Sequence, residues 1–203
     1  MNLSSIASRA RRAIRVRGRN VVRQIGVAIT MGQLQPSSNA TPIAEALGSA
    51  TRILVVRLDA LGDMILTTPL FHELRRMAPN ATVTLVCRPA QAPHIIGNPE
   101  IDETILLPPS PPTILGAVRD LIAATVLGRR LRVRPFDIAI SPRWDLDDGF
   151  AAMAAAWSGA NRRLGYSEHV NETRTVLNSG YDRLYTDVLD DRESDTKPFA
   201  RLP

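Results

Sequence analysis

Hydrophobic positions along the chain change period several times, and those changes outline the fold. Ile53 to Leu58 (ILVVRL) is a short run of branched apolar residues, which reads as a strand buried on both faces of a parallel sheet. A turn follows from Asp59 to Gly62, and Met64, Leu66, Leu70, Leu74 and Met77 then recur at intervals of two to four, the spacing of a helix face. Pro69 lies inside that face. It predicts either a kink or a helix that starts with Thr68 as N-cap and Pro69 in its first turn. Thr82–Cys87 and Ile101–Leu107 predict the second and third strands, with a short helical segment around Gln91–Ile96 and a turn at Gly97-Asn98-Pro99 between them. Ile114, Leu115, Val118, Leu121, Ile122, Thr125 and Val126 form the next helix face, closed by Arg134-Pro135. Phe136–Ser141 predicts a fourth strand, Gly149–Trp157 an alanine-rich helix and Arg163–Tyr166 a fifth strand.

Strands alternating with helices at this spacing imply right-handed βαβ units. The predicted fold class is therefore α/β, a Rossmann-like parallel sheet with helices on both faces. Ligands of such sheets sit beyond the carboxyl ends of the strands, where the strand order reverses. That rule directs attention to three loops: Asp59–Asp63, Arg88–Pro93 and Pro142–Asp148.

Ahead of this domain, Leu3, Ile6, Ala10, Ala13, Ile14, Val21 and Ile25 recur at helical spacing with arginines between them. Residues 1–50 thus read as a basic arm and linker, 51–189 as the folded domain and 190–203 as a polar tail. Two readings of the arm stand together: an amphipathic helix on an anionic membrane surface, or a basic leader without fixed structure. Gly18 weakens the helical reading, and Gln33–Pro42 (QLQPSSNATP) reads as a linker.

Charge sharpens the division. Met1 to Ala44 holds seven arginines and no acid, whereas the remaining residues carry 18 basic against 20 acidic side chains, a net −2. The overall +5 belongs to the arm, so a domain that binds nucleic acid through a basic face is not expected. Cys87 is the sole cysteine, which excludes an intrachain disulfide and a cysteine-based zinc site. No apolar run reaches the ~20 residues that span a bilayer, and Ile25–Met31 is a weak h-region for a secretory signal. The expected location is the cytoplasm, at the inner face of the cytoplasmic membrane if the arm binds lipid.

Several common sites are absent by inspection. No two glycines lie two apart, so the dinucleotide fingerprint is missing, and neither a Walker A loop nor a G-x-S-x-G elbow occurs. His72, His94 and His169 fall outside any metal-binding spacing. What remains is the turn Arg57-Leu58-Asp59-Ala60-Leu61-Gly62-Asp63, where Gly62 is expected to permit a tight backbone. Asp63 stands where the next helix begins. From the residues alone it is either a general base for a hydroxyl at the mouth of the sheet or a helix cap.

The string from Arg52 to Leu107, with its Leu-Gly-Asp turn, Thr-Thr-Pro helix and Gly-Asn-Pro turn in order, resembles the N-terminal domain of glycosyltransferase family 9, the ADP-heptose:lipopolysaccharide heptosyltransferases. Phe136–Ile140 (FDIAI) and Trp157–Tyr166 (WSGANRRLGY) extend the likeness, which covers about Arg52 to Leu189. The resemblance implies the acceptor-side half of a two-domain GT-B glycosyltransferase, with Asp63 matching the aspartate that acts there as general base. It implies inverting transfer from a nucleotide sugar, ADP-heptose in the best-known members, to a lipopolysaccharide or other glycan acceptor, with no cofactor and no catalytic metal. Arg57, Arg88 and Arg143, at or just past strand ends, are expected to grip acceptor phosphates or carboxylates beside Gly62. The family's donor-binding domain has no counterpart in Asp190–Pro203, since one βαβ unit alone takes about 30 residues. A truncated transferase is the first expectation, and a non-catalytic membrane-peripheral module or an inactive remnant the alternative.

Overall fold

Buried aliphatic runs set the sheet. In the computed structural model, which describes residues 3–34 and 41–190, with side chains of the N-terminal helix described from residue 12, the strands are Arg52–Arg57 (β1), Thr82–Cys87 (β2), Glu103–Leu106 (β3), Ile138–Ser141 (β4), Arg162–Tyr166 (β5) and Asp187–Leu189 (β6). All pair in parallel, in the order β3-β2-β1-β4-β5-β6. Side chains alternate across the pleat. Ile53 and Val55 face one layer with Met64, Phe71 and Leu74, while Leu54 and Val56 face the other with Phe150, Met153 and Trp157. Both faces of β1 and β2 are thus dry, which is why their sequences are continuously apolar.

Helices Ile43–Ser49 (α2), Leu61–Leu66 (α3) and Thr68–Met77 (α4) belong to the first layer. Thr67 separates α3 from α4 and stands at the N-cap position of α4 without a side-chain capping bond, its hydroxyl donating back to the Asp63 carbonyl at 2.7 Å, and Pro69 lies in the first turn. The break therefore falls one residue earlier than a Thr68 cap would place it. The other layer holds Ile114–Leu131 (α5) and Ala151–Trp157 (α6). Every residue of α6 is buried, and its alanines let α5 approach: a Cβ on Gly128 would lie 2.5 Å from Trp157 Cβ and 2.7 Å from the Ala154 carbonyl. Helix Glu172–Leu177 (α7) and a 3-10 turn at Tyr181–Leu184 lead into β6.

The segment expected to stand apart as an arm is integrated into this layer. Leu3–Met31 forms one helix (α1) that packs on α5 and α6 through Arg19, Val22, Arg23, Gly26, Val27 and Thr30. Gly18 and Gly26 permit that approach rather than weakening the helix, since a Cβ on either would fall within 3 Å of Ile114 or of Met153 and Leu121. Two arginines face inward: Arg19 Nη2 lies 2.7 Å from Asp148 Oδ2, and Arg23 pairs with Asp148 Oδ1. Trp157 Nε1 donates to Thr30 Oγ1 at 3.0 Å. Most of the predicted linker, residues 35–40, and the tail from residue 191 lie outside the described residues. Among the described residues no helix is long and apolar enough to cross a membrane.

Candidate functional site

The strand order reverses between β1 and β4, so the loops leaving their carboxyl ends diverge and open a cleft. Its volume is about 430 Å³, and its walls include Arg19, Asp59, Asp63, Arg88, Arg143 and Asp148. All three loops singled out from the sequence contribute to it.

At its floor is a carboxylate that sequence reasoning passed over. Asp59, whose side chain is 3% exposed, sits between two guanidiniums: Arg57 Nε at 3.0 Å and Arg143 Nη1 at 2.5 Å. Burial raises the Asp59 carboxyl above its ordinary value, against the pull of Arg143 and Arg57. The same burial lowers the Arg57 guanidinium, opposed by Asp59 and Asp63. Arg143 also donates from Nε to the Leu146 carbonyl. The loop that carries it is held by Arg174 of α7, a fully buried arginine that donates to the Arg143, Asp145 and Tyr166 carbonyls at 2.6, 3.1 and 2.7 Å.

Asp63 lies in the first turn of α3. The N-cap of that helix is Ala60, with no side-chain cap hydrogen bond, so the capping role weighed for Asp63 is not what this geometry provides. Among the described residues its carboxylate accepts no hydrogen bond; the nearest cation is Arg57 Nη2, 3.9 Å away. Its side chain is 44% exposed and borders the cleft. Open to solvent, accepting no hydrogen bond and paired only at long range with Arg57, this carboxylate has lone pairs free to accept a proton from a docked hydroxyl.

The expected gripping arginines do not behave alike. Arg57 is buried, donates to the Pro142 carbonyl and to the Asp63 carbonyl at 3.2 Å and pairs by charge with Asp59, so it positions the turn instead of reaching a ligand. Arg88 is buried as well, donating to the Leu58 carbonyl at 3.1 Å and the Leu107 carbonyl at 3.0 Å, and burial lowers its guanidinium. It still borders the cleft, as does Arg143. Gly62 departs from expectation: its φ is not positive and a Cβ there meets nothing within 4 Å, so no tight backbone requires glycine.

Three further wall residues were not legible. Gln91 Nε2 donates to the Asp59 carbonyl at 2.9 Å while its Oε1 accepts from Arg88 N at 2.7 Å, fastening the β2 loop to the β1 loop. Arg19 and Asp148 meet from positions 129 residues apart. No local signal pairs them, although a lone acid-free, arginine-rich helix does signal that its charges need partners. Among the described residues no cluster of three or more His, Cys, Asp or Glu could hold a metal.

No protein-family model matches the chain, and no curated protein does. Solved structures do. A glycosyl transferase family 9 protein from Veillonella parvula superposes with a TM-score of 0.55 at 24% identity, over 68% of this chain and 35% of that one. ADP-heptose LPS heptosyltransferase II of E. coli gives a TM-score of 0.51 at 22% identity, over 70% of this chain and 36% of that one. The chain thus spans about a third of the length of each, and over that span it shares their Rossmann-like α/β fold.

Proposed function

We propose that this chain is the acceptor-side part of an inverting glycosyltransferase of the family 9 type, with Asp63 as the general base. The observation that carries the reading is the uncommitted Asp63 carboxylate at the mouth of a cleft set at the strand-order reversal, in a fold shared with two solved glycosyltransferases. In this reading an acceptor hydroxyl enters the cleft and gives its proton to Asp63. The oxygen forms the new bond to the anomeric carbon of a nucleotide-activated sugar, and the nucleotide diphosphate leaves from the opposite face with the electrons of the broken bond. Arg143 and Arg88 flank the acceptor and suit its phosphate or carboxylate groups, since the planar guanidinium matches both. Arg57 is a positioning residue, holding the Asp63 backbone and carrying positive charge toward its carboxylate.

Nucleotide sugar as donor and a lipid-linked or other glycan as acceptor follow from the same likeness. ADP-heptose and lipopolysaccharide are the first pair to test, being what the E. coli relative is named for. The relatives' chains are about three times as long as the span matched here, so donor contacts beyond that span belong to the proposal as well. Proton NMR of the product formed from α- or β-configured nucleotide sugar tests it. The reading expects an inverted anomeric centre; a retained one, or no transfer from any nucleotide sugar by the protein isolated from its own cell, would overturn it.

A further inference from the structure

α1 wears its residues inside out. Its inward face carries Arg19 and Arg23, both engaged with Asp148, while Ile14, Val21, Ile25 and Ile29 stand exposed along one stripe, each half or more uncovered. By helical geometry Arg15 and Arg17, both exposed, flank that stripe on either side. α5 continues the surface. Leu115, Ile122 and Val126 form an exposed stripe there, interleaved with exposed Arg119 and Arg129. The two stripes meet across a groove of about 340 Å³ whose walls include Ile29, Ile122 and Val126, with Trp157 and Arg129 at one side.

Half of the exposed large hydrophobic residues among those described lie on these two helices. A contiguous apolar surface of this kind needs a cover. Its charge says which. α1 has no acid, and the single acid of α5, Asp120, is buried and accepts from Ser110 N at 2.9 Å. Apolar stripes whose exposed charged neighbours on these two helices are all guanidiniums are complementary to a surface that is apolar within and negative at its rim. We infer that the α1–α5 face docks on an anionic lipid surface, with Ile25, Ile29, Ile122 and Val126 entering the acyl boundary and Arg15, Arg17, Arg119 and Arg129 meeting the head groups. The arginine stems lie along the apolar surface while their heads stay at the polar level. This inference stands independently of the sugar-transfer reading, because none of its residues is assigned a role in that reaction.

Vesicle flotation of the full chain tests it, with vesicles of phosphatidylcholine alone and of phosphatidylcholine mixed with phosphatidylglycerol. The chain floats with the mixed vesicles and far less with neutral ones, and added salt weakens the binding. Arg15→Gln and Arg17→Gln each lower the partition coefficient about fivefold, corresponding to ~1 kcal/mol per arginine near anionic lipid. Ile29→Asp with Ile122→Asp abolishes flotation, whereas Val176→Asp on α7, an equally exposed site away from this face, leaves it unchanged. Circular dichroism confirms the fold of each variant, and the two arginine variants alter only exposed side chains. Equal flotation with both vesicle types, or none with either, overturns the inference. So does a concentration-dependent dimer that Ile29→Asp/Ile122→Asp disperses without any lipid binding, which would make a second copy of this chain the cover.

Discussion

Removing the Asp148 carboxylate should loosen α1 from the domain, and the structure sets the size of the effect. Asp148 is the acid between Arg19 and Arg23. Arg23, 3% exposed at its side chain, makes no other hydrogen bond or ion pair among the described residues: its Nε and Nη1 make no hydrogen bond even in the intact protein. Asp148→Ala therefore leaves one guanidinium buried and unpaired. Arg19 is better placed, since Nη1 still donates to the Thr113 carbonyl at 3.2 Å. Breaking a buried pair on one side costs about 3–5 kcal/mol, because the surviving charge is stranded. Asp148 is itself 45% exposed, so water screens the site and the expected loss is smaller, roughly 2–3 kcal/mol. For a chain of this size that is a fall of about 4–12 °C in melting temperature. The double variant Asp148→Ala/Arg23→Met tests the mechanism directly. Methionine fills similar space without a charge, so the double variant should recover to within ~1 kcal/mol of the parent. Urea denaturation followed by circular dichroism reads both values, and the tryptic cleavage rate within α1 reports local detachment. A loss below ~0.5 kcal/mol for Asp148→Ala, or no recovery on adding Arg23→Met, would refute the reasoning, since losses that small are the range of unremarkable surface substitutions.

Two glycines make opposite predictions for stability. Gly128→Ala pushes a methyl group into the Ala154 carbonyl and Trp157 and should cost about 1–3 kcal/mol, whereas Gly62→Ala meets open space in a helical turn and should be neutral or stabilising by up to ~1 kcal/mol. Paired melting curves decide it, and equal effects would contradict the packing described. Acid should also destabilise the fold. Asp187 is held below its usual range by its hydrogen bond to Arg162; burial acts to raise Asp148 and Asp137, but the arginine hydrogen bonds and charges at the first, and the Thr51 and Arg52 backbone donors at the second, outweigh it. A carboxyl held low contributes stability that is complete above its unfolded value of about 3.9 and is lost as pH falls through the lower folded value. The urea midpoint should therefore drop below about pH 4, and by less in Asp148→Ala; a midpoint flat down to strong acid would exclude these pairs as stabilising.

How much of this was written locally varies by residue. β2 spans Thr82–Cys87 as expected, and β1 is displaced by one residue, because strands dry on both faces announce themselves as unbroken branched runs. β6 was invisible: a three-residue edge strand, Asp187-Val188-Leu189, is too short to show either an alternating or a continuous apolar pattern. α2 and α7, short and mostly exposed, failed for the same reason. For α1 the residues allowed a helix or a leader without fixed structure, and the helix is what forms; its packing onto the domain could not be read, because the partner of Arg19 and Arg23 is Asp148, more than 120 residues away. The cleft followed from topology, whereas its chemistry did not fully follow. Asp59 and Asp63 are equivalent as letters in one turn, and only the arrival of Arg143 from the β4 loop buries the first and leaves the second open. Arg57 read as a ligand contact because a strand end is where such contacts occur. Its burial comes from Pro142 and Asp59 closing around it.

In the proposed reaction the open carboxylate of Asp63 takes the proton of an acceptor hydroxyl in this cleft. Turnover of the Asp63→Asn variant tests it most directly, measured with nucleotide sugar and glycan acceptor in the protein isolated from its own cell. Asparagine keeps the shape and cannot accept the proton, so kcat should fall by ~10²- to 10⁴-fold while acceptor affinity and the melting temperature hold. Turnover within about threefold of the parent would contradict the account and leave Asp63 without a role in the chemistry.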